Sequence, residues 1–273
     1  MALSPAHRPD ESARAEARAP LQPAPRQPAV GMVVPYDMAL DRELRRFTAD
    51  PAGAEQLDLL FTRTRFEPMK VTVRQARAIS KPRAIADCAR SIAETGPEAT
   101  VYGCTSGSFI RGRTGERALR RAMRAAVPVP AFTTSGALLD AVRALGAETI
   151  ATATPYDDAI TAQFAAFFAE ADIHLMNNAN LGLSGRIWTV PPERTYDLVR
   201  AADSDRADAV VVSCTNLPTY EVLDALEHDL GKPVISANQA TIWQVMRHLD
   251  VPYAGPGAAL RATPRLSAAE PAV

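Results

Sequence analysis

Short apolar runs alternate with longer amphipathic segments from Val30 to Leu249, and this rhythm restricts the fold more than any other feature of the chain. Residues 30–34, 57–64, 100–102, 130–133, 149–153, 173–176, 209–213 and 234–236 read as strands. Residues 41–47, 75–94, 114–126, 135–145, 159–169, 192–202, 219–230 and 239–249 read as helices, with Pro82 marking a break or a helix start. One helix between successive strands predicts right-handed crossovers and parallel sheets covered on both faces. The fold class is therefore α/β.

Composition narrows the possibilities by exclusion. The 273 residues include 30 basic and 31 acidic side chains, a formal charge of -1, which gives no general attraction to nucleic acid or anionic membranes. No stretch approaches the ~20 apolar residues of a membrane helix. The N-terminus has no apolar signal core, so a cytoplasmic location is expected. Three cysteines argue against a disulfide scaffold and for a reducing compartment. Residues 1–28 carry six prolines without apolar periodicity and read as a disordered tail, in which residues 12–19 form at most a transient helix. Residues 253–273 read as a loose C-terminal tail.

Two of the three cysteines stand in matched settings. Val101-Tyr102-Gly103-Cys104-Thr105-Ser106-Gly107-Ser108 and Val211-Val212-Ser213-Cys214-Thr215-Asn216-Leu217-Pro218 each run from a strand into Cys-Thr and small polar residues, 110 positions apart. This is the mark of a loose internal duplication. It predicts two Rossmann-like halves related by a pseudo-twofold axis: residues 29–127, with 232–252 returning to them, and residues 128–231. Ligands of open parallel sheets bind beyond the carboxyl ends of the strands, which places both thiols in the cleft between the halves. Strand-to-helix turns present free N–H groups and predict lowered thiol pKa values. Thr105, Ser106, Ser108, Thr215 and Asn216 would donate to a carboxylate, and Gly107 would let backbone amides approach. Cys88, inside a helix, reads as structural.

The pair GCTSGS and SCTNLPT resembles the aspartate/glutamate racemase superfamily, in particular its branch of maleate cis-trans isomerases, ectoine-utilisation proteins and arylmalonate decarboxylases. Gly31-Met32-Val33-Val34-Pro35 is similar to the family's first strand and turn, and Thr154-Pro155-Tyr156 to a segment whose tyrosine lines the site. Both cysteines are present, as in isomerases and racemases; the decarboxylases keep only the second. The resemblance implies Cys104 and Cys214 as catalytic residues. Pro35, Tyr36, Thr105, Ser106, Tyr156, Thr215 and Asn216 would contact a small carboxylate substrate, in a homodimer or tetramer. No cofactor or metal is implied. Cis-trans isomerisation by thiol addition is the favoured activity. Racemisation of an amino acid or hydantoin by two thiol bases, arylmalonate-type decarboxylation and non-catalytic carboxylate binding are the alternatives. Two asparagines of the isomerase pattern are replaced here, one by Met38 and one by Ser184 or Gly185, which implies a larger, less polar or mono-carboxylate ligand.

Other features carry less. His7, His174, His228 and His248 show no metal-ligand spacing; His174 reads as core, and the helix ends near His228 and His248 favour their charged forms. No phosphate-binding glycine loop occurs. Arg111, Arg113, Arg117, Arg120, Arg121 and Arg124 read as a solvated face or subunit contact, Asn177-Asn178-Ala179-Asn180 as a turn after a strand, and Trp188 and Trp243 as packing residues.

Overall fold

The computed structural model describes residues 26–264; the transient helix expected at 12–19 and His7 lie outside them. The first half runs β1 (Ala29–Val34), α1 (Asp41–Phe47), β2 (Asp58–Arg63), α2 (Val73–Ala78), α3 (Pro82–Arg90), β3 (Ala99–Tyr102), α4 (Thr105–Phe109), α5 (Gly112–Ala126), β4 (Ala131–Thr133) and α6 (Thr134–Ala144). The second runs β5 (Thr149–Thr154), α7 (Asp158–Ala169), β6 (His174–Asn180), α8 (Pro192–Ala202), β7 (Ala209–Val212), α9 (Leu223–Leu230), β8 (Val234–Ser236), α10 (Ala237–His248) and α11 (Ala258–Arg261).

The eight strands make two parallel sheets, β2-β1-β3-β4 and β6-β5-β7-β8. Each half thus orders its strands second, first, third, fourth, so the duplication read from the cysteines is a duplication of topology. The inner strands β1, β3 and β7 are buried along their whole length, and β5 in all but its first residue, because helices cover both faces. Pro82 opens α3 at its first turn, where a missing N–H matters least.

The predicted boundaries need correction. β4 pairs with β3 through Thr100↔Ala131, so residues 131–133 belong to the first sheet, and the division falls after α6. β8 pairs with β7 through Val210↔Val234, so this strand does not return to the first half. Only the helix after it does: α10 packs against α6 and α1. β6 continues through Asn177–Asn180 rather than turning. It is an edge strand, so polar side chains are tolerated, and Asn177 donates to the Asp203 carbonyl at 3.1 Å and Asn180 to Asp158 at 2.7 Å. His174, expected in the core, is exposed on that edge, and Trp188 is 36% exposed; Trp243 is buried.

The segment 253–264 is packed. Gln239 donates to the Pro256 carbonyl (2.9 Å), the Gly257 N–H to Asp224 (2.8 Å) and Trp243 to Thr263 (2.9 Å), while Leu260 is buried. No helix among the described residues is long and apolar enough to cross a membrane.

Candidate active site

Cys104 and Cys214 each follow the third strand of their sheet, and they line one cavity of about 30 Å³, a space for about one or two waters. Pro35, Asp37, Val71, Gln75 and Ile79 of the first half share its wall with Thr105 and Ser106. Tyr156, Ile187, Thr215 and Asn216 complete it from the second half.

The two settings are less alike than their sequences. Cys104 caps α4, and its sulfur accepts the Gly107 N–H at 3.3 Å, with the Ser106 hydroxyl 3.8 Å away. Gly107 is required by a neighbour rather than by a ligand: a Cβ there would lie 2.2 Å from the Tyr102 hydroxyl oxygen. That hydroxyl donates to the Ile79 carbonyl (2.7 Å). Cys214 is followed by turns, with α9 starting only at Leu223 instead of the predicted 219. Its φ is +89°, a left-handed conformation that a side-chain-bearing residue adopts only where the surroundings impose it.

The surroundings here are hydrogen-bonded seams to the first half. Asn216 donates from Nδ2 to the Asp37 carbonyl (3.0 Å) and accepts at Oδ1 from the Ala39 N–H (2.9 Å). Thr215 Oγ1 donates to the Gly103 carbonyl (3.4 Å). Glu43 of α1, 8% exposed, accepts from the Thr219 N–H and hydroxyl and from Asn238 at 2.9–3.2 Å. Both ends of the Asn216 amide thus hold the loop at Asp37, while the residue also lines the cavity.

The pKa expectation is reversed. Burial pushes the Cys104 thiol up to about 11, against which the Gly107 N–H and the Tyr102 and Ser106 hydroxyls act only partly. Burial likewise pushes Cys214 up to about 12, opposed by the Tyr156 hydroxyl and the Asn216 N–H. The charges of the Asp37 carboxylate and, for Cys214, of the other sulfur add to the rise. Tyr156 is raised well above the ordinary tyrosine value by burial and then by Cys214, so at neutral pH it is a neutral donor. Both thiols on this cavity are therefore protonated at neutral pH, in contrast to the thiolates that strand-end N–H groups alone would produce.

Among the residues expected around the substrate, Tyr36 is not on the wall. Its ring stacks edge-on with Phe66, and its hydroxyl donates to the Met69 carbonyl (3.4 Å) and accepts from Gln75 (3.4 Å). Met38, thought to replace a substrate-binding asparagine, is 4% exposed within the apolar core. Ser184 is exposed, and its carbonyl accepts the N–H of Val71, a residue of the cavity wall, at 2.9 Å, a bond between the two halves. Asp37, Val71, Gln75, Ile79 and Ile187 escaped the sequence reading; only Asp37, beside the Pro35 turn, stood where a signal could have been found. Burial, first among its influences, raises the Asp37 pKa. His248 is also shifted by burial, downward, so the helix end does not hold it charged. Five of the six arginines, Arg111 excepted, edge a separate cavity of about 660 Å³ over Phe132 and Trp243 that shares no residue with the thiol site.

Duplicated parallel sheets with a thiol from each at a shared cavity define a class of two-half α/β proteins with cysteine chemistry in the cleft. Comparison with known proteins makes this specific: a family model described as arylmalonate decarboxylase matches residues 78–260. The chain is 32% identical over 240 residues to the arylmalonate decarboxylase of Bordetella bronchiseptica, covering 86% of this chain and 93% of that one. It is 26% identical over 238 residues to a maleate isomerase of Nocardia farcinica, covering 84% and 93%. A solved structure of a Nocardia farcinica maleate cis-trans isomerase, a Cys-to-Ser mutant with a covalently bound succinylcysteine intermediate, shares the fold. Its TM-score is 0.78 at 22% identity, over 87% of this chain and 99% of that one. The chain belongs to the arylmalonate decarboxylase family.

Proposed function

We propose that the protein is a cofactor-independent cis-trans isomerase of the maleate isomerase type, acting on a small carboxylate. The observation that carries this reading is the pair of thiols, Cys104 and Cys214, on one cavity at equivalent strand ends. The Cys104 sulfur adds to one alkene carbon while Cys214 gives its proton to the neighbouring carbon, and the proton released by Cys104 restores Cys214. Net, S–H adds across the double bond. Rotation about the resulting single bond and the reverse steps release the trans isomer, with both thiols regenerated. Pro35, Thr105, Ser106, Tyr156 and Thr215 form the substrate wall, and Tyr156 donates to a carboxylate or to the enolate that develops. The succinylcysteine of the Nocardia farcinica enzyme is what such an addition leaves on a thiol. A cytoplasmic, reducing setting belongs to this reading, because it keeps both sulfurs as thiols, as does a homodimer or tetramer.

Incubation with maleate, read by appearance of fumarate, tests the proposal; absence of any isomerisation of maleate or its monoamide contradicts it. One second reading is favoured by the family model and the Bordetella bronchiseptica relative: decarboxylation of a malonate with Cys214 as proton donor. That chemistry gives Cys104 no task, and release of carbon dioxide from an arylmalonate distinguishes it.

A further inference from the structure

The wall between the two thiols holds an acid and no base. Among the described residues lining it, Asp37 is the one with a carboxyl group, and none is Lys, Arg or His. The Asp37 charge is felt at both sulfurs. Arg63 is the nearby cation, but its guanidinium pairs with Asp41 at 2.8 Å and donates to the Met38 carbonyl at 2.6 Å. Its charge partly offsets the effect of burial on Asp37, but its guanidinium is spent on anchoring the loop and it does not line the wall. The loop itself is fixed by the Asn216 amide and by the Met38 N–H donating to the Pro35 carbonyl (3.1 Å), so Asp37 cannot leave by a local swing of its backbone without breaking these bonds.

The other polar groups are neutral hydrogen-bonders. Thr105, 1% exposed, has a buried hydroxyl with no partner. Ser106 and Tyr156 stand on the same wall. These hydroxyls suit one carboxylate of a ligand. A second carboxylate would enter a small cavity whose wall carries a carboxylate and no cationic side chain, where like charges repel with less screening than in bulk water.

We propose that Asp37 is a specificity-determining residue that selects a substrate with one carboxylate and, at its other end, an uncharged hydrogen-bond donor such as a primary amide, in preference to a dicarboxylate. The inference deepens the reading of this cavity as the substrate site and rests on it. An amide N–H donates to the Asp37 carboxylate in the low-dielectric cavity, a charge-assisted bond that a second carboxylate cannot make. Discrimination of this kind combines a new attraction with a repulsion against the competitor.

The test uses saturated analogues that no step can turn over. Succinamate and succinate are titrated calorimetrically into the wild-type protein and into Asp37→Asn and Asp37→Ser, with melting curves to establish that the variants fold. The wild type should bind succinamate at least about tenfold more tightly than succinate, and both variants should narrow or reverse the ratio. Equal or tighter binding of succinate by the wild type, or a ratio unchanged in the folded variants, overturns the role of Asp37 while leaving the site in place. Failure of every form to bind either analogue overturns the reading of the cavity and the role of Asp37 together. If the ratio changes as stated but neither maleate nor its monoamide is isomerised, the isomerase reading fails and the selectivity of Asp37 stands.

Discussion

At the residue scale the two cysteines are defined by what surrounds them more than by what precedes them in the chain. A strand end supplies N–H donors, and by themselves these would favour thiolates. Full burial outweighs those donors, and Cys104 and Cys214 rest as thiols with pKa values of about 11 and 12. Two outcomes follow. Alkylation of these sulfurs by iodoacetamide should be slow at pH 7 and accelerate up to at least pH 10, checked by mass spectrometry of the labelled peptides; fast labelling of either at neutral pH contradicts the burial argument. The same shifts also link to stability. A thiol whose folded pKa exceeds its unfolded value of 9.0 favours the fold fully below pH 9, and that contribution is lost as pH rises from 9 toward 11 and 12. Denaturant midpoints should therefore fall across that window, and Cys214→Ser should flatten the slope.

At the scale of elements, the seam between α1 and the loop after Cys214 holds the left-handed Cys214 in place. Glu43→Ala removes the acceptor for Thr219 and Asn238 and should destabilise the protein by about 2–4 kcal/mol in urea unfolding, with Glu43→Gln milder because it keeps an acceptor oxygen. Ile187→Ala should thin the cover over the cavity and raise the alkylation rate of Cys104 and Cys214 with little change in melting temperature. Most elements were legible in the sequence because their signals are local. The apolar runs of β1, β3 and β7, the start of α3 at Pro82 and the break before it are all written in neighbouring residues. The misread features depend on distant partners. β4 and β8 look alike in sequence, and only pairing with β3 or β7 assigns each to a sheet. Asn177–Asn180 reads as a turn until an edge position makes it a strand. The site shows the same division: Cys104, Tyr156 and Cys214 were found from their motifs, whereas Ile79 and Ile187 reach the cavity only through tertiary packing.

At the scale of the whole molecule, duplication explains how one cavity acquires a thiol from each side. Both halves carry the strand order second, first, third, fourth, and each third strand delivers its cysteine to the same cleft. The cavity of about 30 Å³ is smaller than the four-carbon acid of the proposed reaction, so on that reading its wall must widen when substrate binds. In the proposed reaction the duplication also separates the two chemical tasks, addition by Cys104 and proton return by Cys214. The most direct measurement is intact-protein mass spectrometry of Cys104→Ser and Cys214→Ser after incubation with maleate and with its monoamide, alongside turnover of the wild type. Expected are wild-type isomerisation, loss of at least about a thousandfold in both folded variants, and an adduct of one substrate mass on Cys104 that accumulates only in Cys214→Ser. Full turnover in either variant, or an adduct on Cys214 in the absence of Cys104, would contradict it.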